Sequence, residues 1–342
     1  MPVIVEDIAS NHQNHLDRGR GDVVVGLINN MPDGAIRATQ QQFVGLLEAA
    51  CEGRTVRLER YYLPQVPRAG QAHSVLLRSY APIDSLWSRH VDGLIMTGNV
   101  PKAATLRDEP YWEEMARVFD WAEDHTASSV WSCLSAHAAV LHQDGVERTT
   151  MGTKLSGVFE SLRVSDHALM ADAPEQWSVP HSRQFGLKTE DLLACDYRLM
   201  TVSPKAGADI FIKQRRSLSV YLQGHMEYGP LSLFREYARD VEHYLNRERE
   251  IYPEQPVGYF PPAAAAAFDA FEVQAKAERR PEMIGAFPIG DVQYQLVSTW
   301  REAAVTVYRN WLRYLAEQTS VAAVDRGNLK SQQPSTQRHG HG

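Results

Sequence analysis

Short apolar runs rich in β-branched residues alternate with stretches of helical periodicity between residues 22 and 133. The runs are typical of buried strands, and the stretches between them repeat apolar side chains three and four positions apart, as an amphipathic helix does. The predicted strands are 22–29, 55–63, 91–98 and 128–133, and the predicted helices are 36–51 and 111–126. Strands that alternate with helices form parallel sheets covered on both faces. We therefore predict a doubly wound α/β fold with a mainly parallel sheet flanked by helices, in which functional side chains gather at the carboxyl ends of the strands.

The sequence after residue 159 is first β-rich and then helical. Between residues 159 and 224 helical periodicity gives way to several short extended runs, which predict a β-rich segment that returns to the main sheet. Helical periodicity resumes at 231–249, 261–276 and 299–317, so we predict a C-terminal helical elaboration of the fold.

The two ends of the chain lack the patterns of packed elements. Residues 1–20 are polar without periodicity and residues 321–342 are poor in apolar side chains, so both are predicted to be disordered. Residues 21–320 are then expected to form a single domain. The N-terminal segment has no basic stretch followed by an apolar one, and no run approaches the roughly 20 apolar residues of a membrane span. We expect neither secretion nor membrane insertion.

Charge and cysteine content exclude further classes of protein. Lysine and arginine number 35 against 42 aspartate and glutamate residues, a formal charge of −7, so a nucleic-acid partner held by phosphate neutralisation is not expected. The 3 cysteines, Cys51, Cys133 and Cys195, are too few and too scattered for a disulfide framework, and they form no metal-binding pair. The sequence therefore predicts a cytoplasmic protein with no bound metal.

Cys133 is the strongest candidate for a nucleophile. It follows a predicted strand and precedes a segment with a good helix start, Leu-Ser-Ala-His-Ala-Ala-Val-Leu. A thiol on such a turn faces the positive end of the helix dipole, which favours the reactive thiolate. A buried cysteine that serves as a small apolar residue is the alternative interpretation.

His225 and Glu227 form a second candidate group. Both follow the extended run SLSVYLQ, and residues two apart in an extended segment share a face. The Glu227 carboxylate can therefore hold the His225 imidazole as a base toward a thiol. A histidine and a glutamate at this spacing also occur by chance, so the pair alone leaves a structural role open.

A set of short motifs occurs in one order between residues 23 and 315. They are GLIMTG at 93–98, YW at 111–112, SC at 132–133, KLSGV at 154–158, PHSR at 180–183, GHMEY at 224–228, RD at 239–240, YFP at 259–261 and TWR at 299–301. Taken together, this ordered set resembles the homoserine O-succinyltransferase family.

The resemblance implies a class I glutamine amidotransferase-like fold and an O-acyltransferase of methionine biosynthesis. Within that family pattern Cys133 matches the nucleophile that accepts the acyl group, His225 the general base, and Glu227 the acid that orients it. The acyl donor would be acyl-coenzyme A as a co-substrate, and no resident cofactor is implied. Relative to the family, residues 263–291 are predicted to be an insertion within the domain.

Three further positions match residues that hold the amino-acid acceptor in the family, which would be homoserine or a similar amino acid. They are Lys154, Ser182 and Arg239. The residue types suit the task, because an arginine fork or a lysine binds an α-carboxylate and a serine hydroxyl adds a directional hydrogen bond. From the sequence alone, a solvated helix residue at Arg239 and a turn residue at Ser182 remain open alternatives.

This chain departs from the family pattern near the expected acyl site. Asp33 and Gly34 stand where the family carries lysines, so a positive charge is missing there or is supplied from elsewhere. The residues at 134–137 also differ, which predicts a rebuilt pocket around the thiol. His137, one helical turn after Cys133, is expected to be able to contact it.

The position that separates acyl donors in the family falls on Lys102. A glutamate there accompanies acetyl transfer and a glycine accompanies succinyl transfer. A lysine can pair with the free carboxylate of a succinyl chain, so succinyl transfer is favoured and acetyl transfer is left open. A solvated surface lysine is the alternative.

Two other functions and the assembly also stay open at this point. A glutamine amidotransferase-like thiol hydrolase would use the same Cys, His and Glu set, although a Gly-x-Cys-x-Gly motif is absent. A member that binds a metabolite without catalysis is the second alternative, since a fold alone does not establish activity. The sequence does not decide between a monomer and a homodimer.

Overall fold

The computed structural model describes residues 3–6, 22–290 and 292–331. The strands of this part of the chain are β1 (Val3–Val5), β2 (Val23–Ile28), β3 (Val56–Tyr62), β4 (Ala81–Pro82), β5 (Gly93–Met96), β6 (Ser128–Ser132), β7 (Thr149–Arg163), β8 (Gln176–Gly186), β9 (Arg198–Leu199), β10 (Thr201–Ser203), β11 (Gly207–Ala208), β12 (Ile210–Gln214) and β13 (Leu218–Leu222). The helices are α1 (Ile36–Ala50), α2 (Gly70–Ser79), α3 (Trp112–His125), α4 (Leu134–Asp144), α5 (Thr189–Ala194), α6 (Ser232–Leu245), α7 (Pro262–Glu278), α8 (Val292–Gln295) and α9 (Arg301–Ser331).

The main sheet has the strand order β1-β3-β2-β5-β6-β13-β12-β9, with β4 paired to β3. Every pairing from β1 to β13 is parallel, and β12 and β9 complete the sheet in antiparallel pairings. The central strands β2, β5, β6 and β13 are buried along their whole length, which explains the continuous apolar runs of β2 and β5. The predicted mainly parallel sheet is confirmed.

Helices cover both faces of this sheet. On one face α1 and α9 pack on the strands, and the Trp311 indole donates to the Ser128 hydroxyl at 2.9 Å. On the other face α3 and α4 form a second core, in which Phe119 meets Trp131 edge to face at 4.9 Å between ring centroids. The doubly wound arrangement predicted from the alternating pattern is therefore present.

The β-rich segment forms more than a return to the main sheet. β7 and β8 form a long antiparallel hairpin, which joins β10 and β11 in a separate four-stranded sheet. Only β9, β12 and β13 return to the main sheet. The prediction was right about strand content and incomplete about topology, because periodicity within a strand does not reveal its partner.

The C-terminal helices confirm the predicted helical elaboration. α6 and α7 share an aromatic core, and the Trp300 indole at its edge donates to the Tyr228 carbonyl at 2.8 Å. This contact ties the C-terminal layer to the segment that carries His225 and Glu227.

The ends of the described chain differ from the predicted disorder. Val3–Val5 pairs in parallel with β3, because the edge of that strand offers unpaired backbone groups. At the other end α9 continues to Ser331, past the predicted end at 317. The rest of the segments predicted to be disordered, 1–2, 7–20 and 332–342, lies outside the described residues. Among the helices that are described, none is long and apolar enough to span a membrane.

Candidate active site

Cys133 lies at a sharp turn between β6 and α4, where the sequence placed it. Its φ is 54° and its ψ is −112°, and its amide donates to the Leu222 carbonyl of β13 at 2.7 Å. Gly98, which follows the neighbouring strand β5, approaches this turn closely. A Cβ on Gly98 would lie 3.0 Å from the Leu134 nitrogen and 3.4 Å from the Cys133 Cβ. The thiol therefore stands at the carboxyl edge of the sheet, before the first free amides of α4.

His225 and Glu227 follow β13, the strand that pairs with β6. The His225 amide donates to the Pro180 carbonyl at 2.8 Å, and its Nδ1 lies 2.8 Å from Glu227 Oε1. The Cys133 side chain lies close enough to the ring to interact with it electrostatically, and the ring stacks on Tyr228 at 4.2 Å between centroids. His225 is 5% exposed and Glu227 4%. The structure thus brings the three predicted residues together, as a relay from a buried carboxylate through a buried imidazole to a half-buried thiol.

The pKa of His225 lies well above its ordinary value. Burial acts to lower this pKa, but the Glu227 carboxylate and the negative charge on Cys133 outweigh burial. The site therefore favours an imidazolium, a positive charge beside the candidate nucleophile.

Arginines supply the positive charge that the missing lysines left open. The guanidinium groups of Arg183 and Arg148 both lie within electrostatic range of Cys133. The buried side chain of Arg68 contacts the segment that follows β2: it donates to the Met31 carbonyl and lies 3.3 Å from Asp33. Asp33 is thus paired with Arg68. The positive charge near the thiol comes instead from Arg148 and Arg183.

The His137 side chain hydrogen bonds to Gln223. Its Nε2 lies 3.0 Å from Gln223 Oε1, and the same oxygen accepts the Leu187 amide at 3.0 Å. Burial lowers the pKa of His137 to about 3, so the ring is neutral. The sequence suggested a contact between the His137 ring and the Cys133 thiol, but the described residues show no hydrogen bond between them. His137 and the Leu187 amide instead both hydrogen bond to the Gln223 side chain.

The predicted acceptor residues converge on the middle of α6. Lys154 Nζ lies 2.9 Å from Asp240 Oδ2, and Arg239 donates to Asp240 Oδ1 at 2.9 and 3.2 Å. The Ser182 hydroxyl donates to Glu236. These five side chains come from β7, β8 and α6 and form one cluster of alternating charge, which we call the acceptor cluster.

Sequence reasoning missed the two carboxylates of the acceptor cluster. Glu236 and Asp240 are four residues apart on α6, with Arg239 between them, so they share one face of the helix. That spacing was a usable signal. The Tyr228 hydroxyl, which donates to Glu236 at 2.5 Å, links the cluster to the ring that stacks on His225.

A buried carboxylate supports the turn that carries His225. Asp209 Oδ1 accepts the Gly224 amide at 3.0 Å and lies 3.5 Å from His181 Nε2, while Oδ2 accepts from Ser161 at 3.3 Å. Burial raises the pKa of Asp209 to about 6. The sequence offered no signal for this support.

Lys102 is the one predicted site residue that the structure does not join to the others. It lies on the loop between β5 and α3, and its backbone amide donates to Glu109 Oε1 at 2.5 Å. Its side chain is exposed, and within the described residues no hydrogen bond or ion pair involves its ammonium group. Its role in donor choice stays a prediction.

Fold and site together define a doubly wound α/β protein with a Cys–His–Glu arrangement at the carboxyl edge of its parallel sheet. The model of the family described as "HTS: Homoserine O-succinyltransferase" matches residues 8–322. This chain belongs to the homoserine O-succinyltransferase family and is a transferase.

Individual relatives cover nearly the whole chain. The homoserine O-succinyltransferase of Rhodopseudomonas palustris is 44% identical over 319 residues, covering 93% of this chain and 96% of that protein. The protein of the same name from Bradyrhizobium japonicum is 42% identical over 299 residues, covering 86% and 91%. A solved glutamine amidotransferase from Methylobacillus flagellatus matches with 14% identity and a TM-score of 0.49, covering 94% of this chain and all of that one.

Proposed function

We propose that this protein transfers an acyl group, preferentially succinyl, from acyl-coenzyme A to the hydroxyl of homoserine through a thioester on Cys133. The observation that carries the proposal is the relay from Glu227 through His225 to a thiol at a strand-to-helix turn. The names of the relatives support the choice of succinyl donor and homoserine acceptor. Neither step needs a resident cofactor. The free cysteines Cys51, Cys133 and Cys195 fit the reducing cytoplasm, where we place the activity.

In the first half-reaction the Cys133 thiolate attacks the thioester carbonyl of the donor. The bond from that carbon to the coenzyme A sulfur breaks, and the departing thiolate takes the proton from the His225 imidazolium. The Leu134 amide, at the first position of α4, is a suitable donor to the transient oxyanion, because the first amides of a helix have no acceptor within it. The products are acyl-Cys133, free coenzyme A and a neutral His225.

In the second half-reaction His225 acts as the base for the acceptor. Once Cys133 is acylated its negative charge is gone, and one of the causes that raise the pKa of His225 is removed. The neutral imidazole takes the proton of the homoserine hydroxyl, the oxygen attacks the thioester carbon, and Cys133 leaves as a thiolate. The imidazolium and thiolate of the resting enzyme are thereby restored.

The acceptor cluster matches the charges of an amino acid. Arg239 and Lys154 can bind the α-carboxylate, and Glu236 and Asp240 can bind the α-ammonium group. In the absence of an amino acid these side chains pair with each other, so binding exchanges one set of charge-assisted contacts for another. Tyr228 places this cluster next to His225, where the acceptor hydroxyl must lie.

The proposal is tested by the mass of the intact protein after incubation with succinyl-coenzyme A and no acceptor. We expect the mass of one succinyl group on the wild type and on Cys195→Ser, a control at another free cysteine, and none on Cys133→Ser, because a serine hydroxyl is far less nucleophilic. Addition of homoserine should then remove the group and yield O-succinylhomoserine. Acylation of Cys133→Ser would contradict the nucleophile, and release of free succinate that homoserine does not divert would indicate a thiol hydrolase.

A further inference from the structure

Arg148 is a half-buried cation with unused hydrogen-bond donors. It lies between α4, the helix that begins beside Cys133, and β7, the strand that carries Lys154. Its guanidinium stacks on the Phe185 ring at 3.9 Å from the ring centroid. Within the described part of the chain no carboxylate pairs with it and no acceptor takes its hydrogen bonds. An arginine has five N–H donors, and a partly buried charge without a partner is unfavourable, so this position is suited to an anion that arrives from outside.

A series of hydrogen bonds connects the segment that carries Arg148 to the first turn after Cys133. Thr149, the next residue, donates from its hydroxyl to the Gly186 carbonyl at 3.2 Å. The amide of the following residue, Leu187, bonds to Gln223, which also holds His137 in the first turn after Cys133. Burial lowers the pKa of Arg148, and the nearby negative charge of Cys133 acts in the opposite direction. Arg148 thus lies within electrostatic range of Cys133.

Glu109, one of the carboxylates that act electrostatically on Arg148, already accepts other hydrogen bonds. Its Oε1 accepts the Lys102 and Ala103 amides at 2.5 and 2.6 Å, so its charge holds the loop after β5 in place. Glu109 is 5% exposed and forms no ion pair with Arg148 within the described residues. The Arg148 fork is therefore left for a ligand.

We propose that Arg148 binds the free carboxylate of the succinyl group while the other end of that group reacts with Cys133. This inference rests on the proposed function and adds the residue that selects the donor. A planar guanidinium donates two parallel hydrogen bonds to a carboxylate, and the Phe185 ring fixes the plane of the fork beforehand. An acyl chain of equal length without a charge would leave the arginine unpaired. Lys102, by contrast, carries a solvated ammonium group that gains little from a carboxylate.

The test compares succinyl-coenzyme A with butyryl-coenzyme A, whose acyl group has the same number of carbons and no charge. The rate of thioester formation on Cys133 is measured without acceptor for the wild type, Arg148→Met and Arg148→Lys. We expect Arg148→Met to slow succinylation by about 10- to 100-fold and to leave butyrylation within about twofold, because only the charged chain loses its partner. Arg148→Lys keeps the charge without the fork and should be intermediate.

Two further variants sharpen the result. Arg117, which also stacks on an aromatic ring, at 4.9 Å from Trp87, gives the control Arg117→Met, for which the donor ratio should not change. Lys102→Met tests the rival cation. If the ratio of the succinylation rate to the butyrylation rate is unchanged in Arg148→Met, the proposal is overturned. An equal loss of rate with both donors also overturns it, because that result would mean contact with the phosphates of coenzyme A or a structural role. A wild type that forms no thioester with any donor would instead refute the proposed function itself.

Discussion

Cys133 adopts a backbone conformation that residues with a Cβ rarely occupy. A φ of 54° with a ψ of −112° costs about 1–3 kcal/mol, which the surrounding contacts must offset. The hydrogen bond of its amide to Leu222 and the close approach of Gly98 hold the turn in this form. The order of strand, cysteine and helix was visible in the sequence. The strain was not, because it depends on Leu222 and Gly98, which come from other strands.

Glu227 should control the ionisation of the thiol through His225. Replacing it by glutamine, Glu227→Gln, removes the carboxylate that raises the pKa of His225, so the imidazolium becomes less stable and the thiolate forms only at higher pH. We expect the midpoint of Cys133 alkylation by iodoacetamide, measured against pH in a Cys195→Ser background, to move upward. An unmoved alkylation midpoint in Glu227→Gln would show that the carboxylate serves only the fold.

His225 is the proposed general base. The turnover rate of His225→Ala should therefore fall by about 10²–10⁴-fold relative to the wild type.

At the scale of elements, one face of α6 meets two strands of the second sheet. Glu236 and Asp240 lie one turn apart on that face, and Ser182 and Lys154 reach them from β8 and β7. The helix itself was predicted from its apolar periodicity, which fixes its buried side. What its polar face contacts depends on how the β7–β8 hairpin is placed, and a local pattern carries no information about that placement.

Arg239 should act in the second half-reaction only. In Arg239→Lys the two-pronged contact with a carboxylate is lost while the charge is kept, so the KM for homoserine should rise about 10-fold. The rate of Cys133 succinylation without acceptor should stay within about twofold of the wild type, as should both quantities in Arg235→Lys, a control on the exposed side of the same helix. A parallel loss of first-step acylation in Arg239→Lys would assign the arginine to the donor or to the fold.

At the scale of the whole molecule, the two sheets meet beneath the turn of His225. Asp209 lies between β11 of the second sheet and β12 of the main sheet, and it bonds to Ser161, Thr201 and the Gly224 amide. The main sheet could be predicted because its strands follow one another along the chain with a repeated pattern. This junction could not, because its partners are scattered over more than sixty positions and meet only when both sheets have formed.

Asp209 should make the stability of the protein fall as pH rises, opposite to the usual behaviour of a carboxyl group. Burial raises its pKa to about 6 from its ordinary value of 3.8, so the folded state binds the proton more tightly than the unfolded chain. Stability is therefore lost as pH rises from about 4 through about 6. Asp209→Asn removes this titration at constant size. The free energy of unfolding of Asp209→Asn minus that of the wild type, from urea titrations, should therefore increase between about pH 4 and pH 7 by on the order of 3 kcal/mol. The same difference for Asp166→Asn, an exposed carboxylate, should stay nearly flat. A flat difference for Asp209→Asn would instead mean that a charged His181, 3.5 Å away, neutralises the buried carboxylate throughout this range.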